Sequence, residues 1–310
     1  MSYLRTNDRQ LLYNLAMRLG IIQGRLSPPV RGQIQAFPID TWRQEFILLK
    51  ELNLNHIEWI QTEVTDPWPD RHDSISSICC DYLMDPRFRL MSKDGLIWTE
   101  IGLHTAARHA TDVGIERLTI PLLEDSSVAD PVIREVFMKA VSKTLREWPT
   151  VHLSFETDLS DPRIASALTG PVWDSRLSLT YDTGNMTSAG VDHVPYLFHV
   201  IDRVGNVHLK DRTKDGQTLP PGEGETNFDD IFATLYELGY NGLVTMQFAR
   251  GKDREEFETI RNYRDWVLAK WEQQCTNTTS RVKQLSSLVR SAYLAPSGFW
   301  HYSNPAHRSF

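Results

Sequence analysis

With 310 residues, 41% of them hydrophobic and 24% charged, the chain is long and apolar enough for a large core arranged as two domains or one barrel. Its 33 Lys and Arg against 40 Asp and Glu leave a net charge of −7, which argues against broad attraction to nucleic acid. Three cysteines, the adjacent Cys79 and Cys80 plus Cys275, suit reduced thiols rather than a disulfide framework, and no stretch approaches the roughly 20 apolar residues of a membrane span; a cytoplasmic location is expected.

Residues 1–17 lack the apolar core of a signal peptide and stand as an N-terminal extension. RLGIIQG, residues 18–24, is the first strand, followed by a loop rich in Pro and Gly and a helix from about Trp42 to Leu52. HIEWI at 56–60 and SISSICC at 74–80 give the second and third strands. A helix around Leu103 to Val113 stops at Gly114, a C-cap, and leads into RLTIPL, the fourth strand. After a helix from about Pro131 to Trp148 come VHLSFE, SLTYD, NVHLK and LVTMQF as strands five to eight. Helical signals lie between them, clearest in NFDDIFATLYEL at 227–238, where Asn227 caps, Asp229 and Asp230 favour the first turn, and Gly239 ends the run. The last helix is expected over about Glu255 to Glu272, with its apolar side carried by residues such as Phe257, Ile260 and Trp271.

Short apolar runs alternating with helix-length amphipathic segments are the pattern of βα units around a parallel sheet. About eight such units fit between residues 18 and 272, so the expected fold is α/β, a single (β/α)8 TIM barrel. Residues 273–310, rich in Ser, Thr and Asn with an apolar patch LVRSAYLAP, form a C-terminal tail, disordered or packed on the barrel exterior or a second subunit.

A parallel barrel delivers the C-terminal ends of all its strands to one rim, so Glu156, Asp182, His208 and Gln247, at or beside four successive strand ends, converge. That donor set suits a divalent metal of the Mn²⁺, Co²⁺ or Mg²⁺ kind. Each residue alone has a plainer reading: a rim salt bridge or helix cap for Glu156, an Asx-turn for Asp182, a satisfied barrel histidine for His208. Glu58 closes the second strand, and Lys210 and Arg212 follow the seventh, where they form either a solvated loop or a clamp for phosphate or carboxylate. Gln23 and Arg25 follow the first strand, Arg25 either holding an anionic group or bridging barrel loops. Trp59, Tyr82 and Phe248 are candidates for an apolar wall or for core, and Glu223 for a lid carboxylate or turn chemistry.

Taken together, GIIQGRLSPP, HIEWI, SICCDYLM, IPLLEDSS, YDTGN, HLKDR and PPGEG followed by NFDDIF resemble the xylose-isomerase-like barrels, specifically the sugar phosphate isomerase/epimerase group. The resemblance implies one divalent metal, Mn²⁺ first, with Mg²⁺, Co²⁺ or Zn²⁺ as alternatives, held by Glu156, Asp182, His208 and Gln247, with Glu156 as the catalytic base. It also implies an enediolate reaction next to the carbonyl of a small sugar, sugar acid or sugar phosphate, and a homodimer or homotetramer. Two departures stand out: Gln247 replaces a carboxylate that serves as the second acid/base, and an amide cannot exchange a proton near neutral pH; Asn185 stands where a histidine is frequent. Glu58 and Lys210 are the candidates to supply the missing proton transfer, and Gln23, Arg25, Asn185, Arg212 and Arg250 those for substrate contact. The alternatives are an inosose-dehydratase-like lyase on a polyol ketone and a sugar-binding barrel that has lost catalysis.

Overall fold

The computed structural model describes residues 17–293 apart from 86–87, 89–93, 171–173 and 253, with side-chain surroundings given through residue 274. In chain order the elements are β1 (Arg18–Ile22), α1 (Trp42–Glu51), β2 (Ile57–Ile60), β3 (Ile75–Cys79), α2 (Gly95–Val113), β4 (Arg117–Leu122), α3 (Pro131–Glu147) and β5 (His152–Thr157). There follow α4 (Pro162–Leu168), β6 (Leu177–Asp182), α5 (Thr183–Ser188), α6 (His193–Val200), β7 (Val204–Leu209), α7 (Phe228–Glu237), β8 (Leu243–Met246) and α8 (Glu256–Tyr293). The eight strands close into a parallel barrel in which each pairs with its sequence neighbours and β8 pairs with β1. The expected (β/α)8 fold is the observed one.

Local chemistry sets the helix starts. Asp130 and Asp161 cap α3 and α4 by accepting backbone N–H bonds from Val132 and Arg163, each followed by a proline at the first helical position. α2 begins at Gly95, earlier than its sequence period suggests, because its first turns expose Ile97, Trp98 and Ile101 and so blur the amphipathic pattern. The last helix runs on to Tyr293 rather than ending near Glu272, since no Gly or Pro occurs between 273 and 293 to stop it. Residues 1–16 and 294–310 of the two expected extensions lie outside the described residues.

The apolar core lies between strands and helices, where side chains such as Trp59, Phe137, Phe155 and Phe232 are fully buried. Inside the barrel the layers are polar instead: Ser77, Thr119, Ser154, Thr180, Asn206 and Thr245 are all buried. Among them Ser154 Oγ bonds Thr180 Oγ1 at 2.7 Å and Thr245 Oγ1 donates to Asn206 Oδ1 at 3.0 Å, while Ser77 and Thr119 donate to the Glu58 carboxylate above. This hydrogen-bonded interior carries the site.

Candidate active site

Asp182, the last residue of β6, stands in register with His208 of β7, while Glu156 lies near the end of β5. Glu156, Asp182 and His208 are all buried and can each offer one ligand atom within 4.8 Å of the others. Asp182 divides its oxygens. Oδ1 accepts the Asn185 N–H at 2.8 Å and so caps α5, while Oδ2 stands 2.6 Å from Lys210 Nζ, out of hydrogen-bonding line. The Asx-type reading of Asp182 and the site reading therefore both hold.

His208 sits between two carboxylates: Nε2 is 2.6 Å from Glu58 Oε2, and Nδ1 is 3.3 Å from Glu156 Oε2. Burial disfavours the imidazolium, but the two carboxylates outweigh it and hold the His208 pKa well above the ordinary range. Burial likewise pushes Glu156 up, yet His208 and Lys210 prevail and keep it a carboxylate. Asn185 Nδ2 donates to Glu156 Oε1 at 2.8 Å, which orients the carboxylate. Glu58 lies at full burial, accepting from Ser77 Oγ at 3.0 Å and Thr119 Oγ1 at 2.6 Å as well as from His208. Its place is in the barrel interior behind the histidine.

Whether these residues fit a metal is answered by their donor atoms. Gln247 Oε1 is buried without a hydrogen-bond partner, a desolvation penalty that a cation would relieve, whereas Asp182 Oδ2 faces Lys210 Nζ at 2.6 Å and His208 Nδ1 faces Glu156 Oε2 at 3.3 Å. Glu156, Asp182 and His208 make a set of two carboxylates and one imidazole of the kind that Mn²⁺, Co²⁺ and Mg²⁺ accept, and a metal at Nδ1 would take the place of the proton that the two carboxylates favour on His208. Gln247 spends its other end on Gln35, donating from Nε2 to Oε1 at 2.8 Å.

The rim residues enclose a cavity of about 390 Å³ lined by, among others, Asp81, Glu156, Asn185, Lys210, Arg212 and Gln247. Two other cavities, of about 500 and 550 Å³, are larger. One of them opens around Arg18, His56 and Arg117, at the starts of strands, and the other lies beside α2; the three-residue ligand cluster belongs to neither. The chemistry, not the volume, selects the site.

Other sequence candidates take different places. Gln23, Arg25 and Arg250 do not line this cavity; they fix the loop between β1 and α1. Gln23 Oε1 accepts Ile60 N–H at 3.2 Å, Arg25 Nε donates to Phe248 O at 3.1 Å, and Arg250 donates to Ile34 O and Ser27 O, both at 2.9 Å. The same loop turns at Gly24, whose φ of +90° and 2.9 Å clearance to Ala36 O leave no room for a Cβ, and Glu45 accepts its N–H at 3.0 Å. Trp59 and Phe248 are core, packed on Phe37 and Trp42 and on Phe228 and Trp266, and Tyr82 donates its hydroxyl to Gly102 O. Glu223 is exposed and away from the cavity lining.

Sequence reading missed Asp81, Gln35 and Asp211. Asp81 follows β3 and was legible in principle as another carboxylate at a strand end, whereas Gln35 reaches the site from a loop that has no period to read. Asp211 is fully buried and accepts the N–H groups of Gly222, Gly224 and Thr226 at 2.8, 3.0 and 3.2 Å. That is the physical link between HLKDR and PPGEG: one carboxylate ties down the glycine loop.

Residues 151–267, from the start of β5 into α8, match the family model described as Xylose isomerase-like TIM barrel. The resemblance read from the sequence to that superfamily thus stands. Escherichia coli SgbU is 26% identical over 185 residues, covering 54% of this chain and 64% of its own. An inosose dehydratase of Geobacillus thermodenitrificans is 33% identical over 90 residues, covering 23% of this chain and 30% of its own. These matches span under two thirds of the relatives' length. The solved "Structure of L-ribulose 3-epimerase" superposes with a TM-score of 0.63 at 14% identity over 89% of this chain and 99% of that one, a likeness of fold.

Proposed function

We propose that this protein is a divalent-metal-dependent isomerase or epimerase that works next to the carbonyl of a small sugar, sugar acid or sugar phosphate. The observation that carries the reading is that Glu156, Asp182 and His208 are buried and can each offer one ligand atom within 4.8 Å of the others, at the floor of a polar cavity that Glu156 and Gln247 line. Mn²⁺ is the first choice of ion; bound there it supplies a Lewis acid that polarises a carbonyl. Glu156, kept as a carboxylate and oriented by Asn185, takes the proton from the carbon next to that carbonyl. Lys210 and Arg212 line the cavity and bring positive charge to a substrate phosphate or carboxylate. Glu58 fixes the ring of His208 and is a positioning residue rather than a proton carrier for the substrate. A cytoplasmic location and a homodimer or homotetramer belong to the same reading.

A dehydratase on a polyol ketone is the second reading, favoured by the ammonium of Lys210 inside the cavity, where it can protonate a departing hydroxyl. Incubation of the Mn²⁺-loaded protein in D₂O with ketoses and polyol ketones, followed by NMR and mass spectrometry, tests both. Solvent deuterium next to the carbonyl with product of unchanged composition supports the isomerase or epimerase; product one water lighter supports the dehydratase; no exchange with any of them sinks both.

A further inference from the structure

The amide at position 247 leaves Glu156 without a titratable counterpart on the β8 side of the cavity. Another carboxyl lies close by. Asp81, two residues beyond β3 and half-buried, lines the same cavity as Glu156 and Gln247. Its Oδ1 accepts from Cys79 Sγ at 3.0 Å and its Oδ2 from Gln35 Nε2. Gln35 Oε1 in turn accepts from Gln247 Nε2 at 2.8 Å. An unbroken chain of side-chain hydrogen bonds therefore runs from the end of β8, through the loop after β1, to Asp81 after β3.

The closed strand order gives this chain its direction. Asp81 follows β3, two places from β5 in the ring of eight strands, so it enters the cavity from a different side than Glu156 does. A carbon held in the cavity stands between carboxyls that reach it from two different strands, and inversion at that carbon needs one on each of its faces.

We propose that Asp81 is the second proton-transfer residue of this site, acting from the β3 side of the cavity on the face that Glu156 does not reach, with Gln247 and Gln35 holding it in place. The inference rests on the isomerase/epimerase reading above. In the step, the Glu156 carboxylate takes the proton next to the carbonyl, and the C–H electron pair moves into the enediolate. Asp81, entering as the acid, returns a proton to the opposite face of the same carbon, and the electron pair re-forms a C–H bond. Glu156 leaves as the acid and Asp81 as the carboxylate, and proton exchange with water restores both; no other reactant is consumed. Burial is the main force raising the pKa of Asp81, and the Glu156 charge adds to it, which favours the protonated form that the step needs.

The test compares wild type, Asp81→Asn, Asp81→Glu and Glu156→Gln as full chains. Mn²⁺ affinity is read by electron paramagnetic resonance. Deuterium wash-in and epimer formation are read by NMR in D₂O on D-ribulose, D-xylulose, D-fructose, D-psicose and their phosphates. The expected result is that Asp81→Asn keeps Mn²⁺ affinity within about twofold and still washes deuterium into the substrate with retained configuration, while epimer formation falls by about 10² or more. Asp81→Glu recovers part of the loss, and Glu156→Gln loses wash-in as well. Epimer formation by Asp81→Asn at the wild-type rate overturns the proposal, as does loss of Mn²⁺ together with conversion, which would make Asp81 a structural part of the metal centre. A wild type that neither exchanges nor converts any of these sugars overturns the functional reading and this inference with it, a pattern distinct from an inert Asp81 substitution.

Discussion

At the scale of single residues, the candidate site depends as much on what stands behind its side chains as on those side chains. Glu58 was legible as a strand-end carboxylate, but sequence gives no depth. Only the fold shows it bonded by Ser77, Thr119 and His208 at full burial. Glu58→Gln is expected to lower Mn²⁺ affinity by about 10- to 100-fold through loss of ring orientation, measured by titration calorimetry. Unchanged affinity would show that His208 needs no such support. Two other histidines serve stability. Burial holds His56 and His193 down at about 4, below the ordinary 6.5, so both are neutral in the folded protein. His193 is bonded to Tyr181 and Thr187, and His56 to Thr245. A folded pKa below the unfolded one contributes stability fully above pH 6.5 that is lost as pH falls through about 4, with unfolding taking up protons in that window. Urea denaturation at steps from pH 7 to 4 is expected to show stability falling more steeply in wild type than in His56→Gln/His193→Gln; equal slopes would contradict the assignment.

At the scale of elements, the strands were readable because each is a short apolar run bounded by turn residues, and so was the clustering of Glu156, Asp182 and His208, a group that could hold a metal ion. The three short helices α4, α5 and α6 were not separable by period, since each has at most eight residues. Loops were the least legible, and the glycine loop after β7 shows why: its shape comes from Asp211, which captures three backbone N–H groups at a distance in sequence that no local pattern encodes. Asp211→Ala leaves those donors unpaired and is expected to cost about 2–4 kcal/mol in urea unfolding. Gly224→Ala should cost a comparable amount, since its Cβ would stand 2.2 Å from Asp211 Oδ1. A loss below about 0.5 kcal/mol in both would mean that the loop is held by something other than this carboxylate.

At the scale of the whole molecule, the closed parallel barrel explains how residues as far apart in the chain as Glu156 near the end of β5 and Gln247 after β8 reach one cavity. The polar interior beneath that cavity was not legible in the strand patterns, because Ser and Thr at inward positions read as ordinary strand formers. The wall formed by Asp81, Gln35 and Gln247 was hidden for a different reason: it joins two loops and a strand end that only barrel closure brings together. The central claim is that this rim holds a divalent ion. It is tested most directly by elemental mass spectrometry of the purified protein after incubation with excess Mn²⁺ and desalting, for wild type beside Glu156→Gln and His208→Ala, with circular dichroism confirming that each is folded. The account predicts near-stoichiometric Mn in wild type and little in either folded variant; wild type that stays empty, or variants that retain as much metal as wild type, would contradict it.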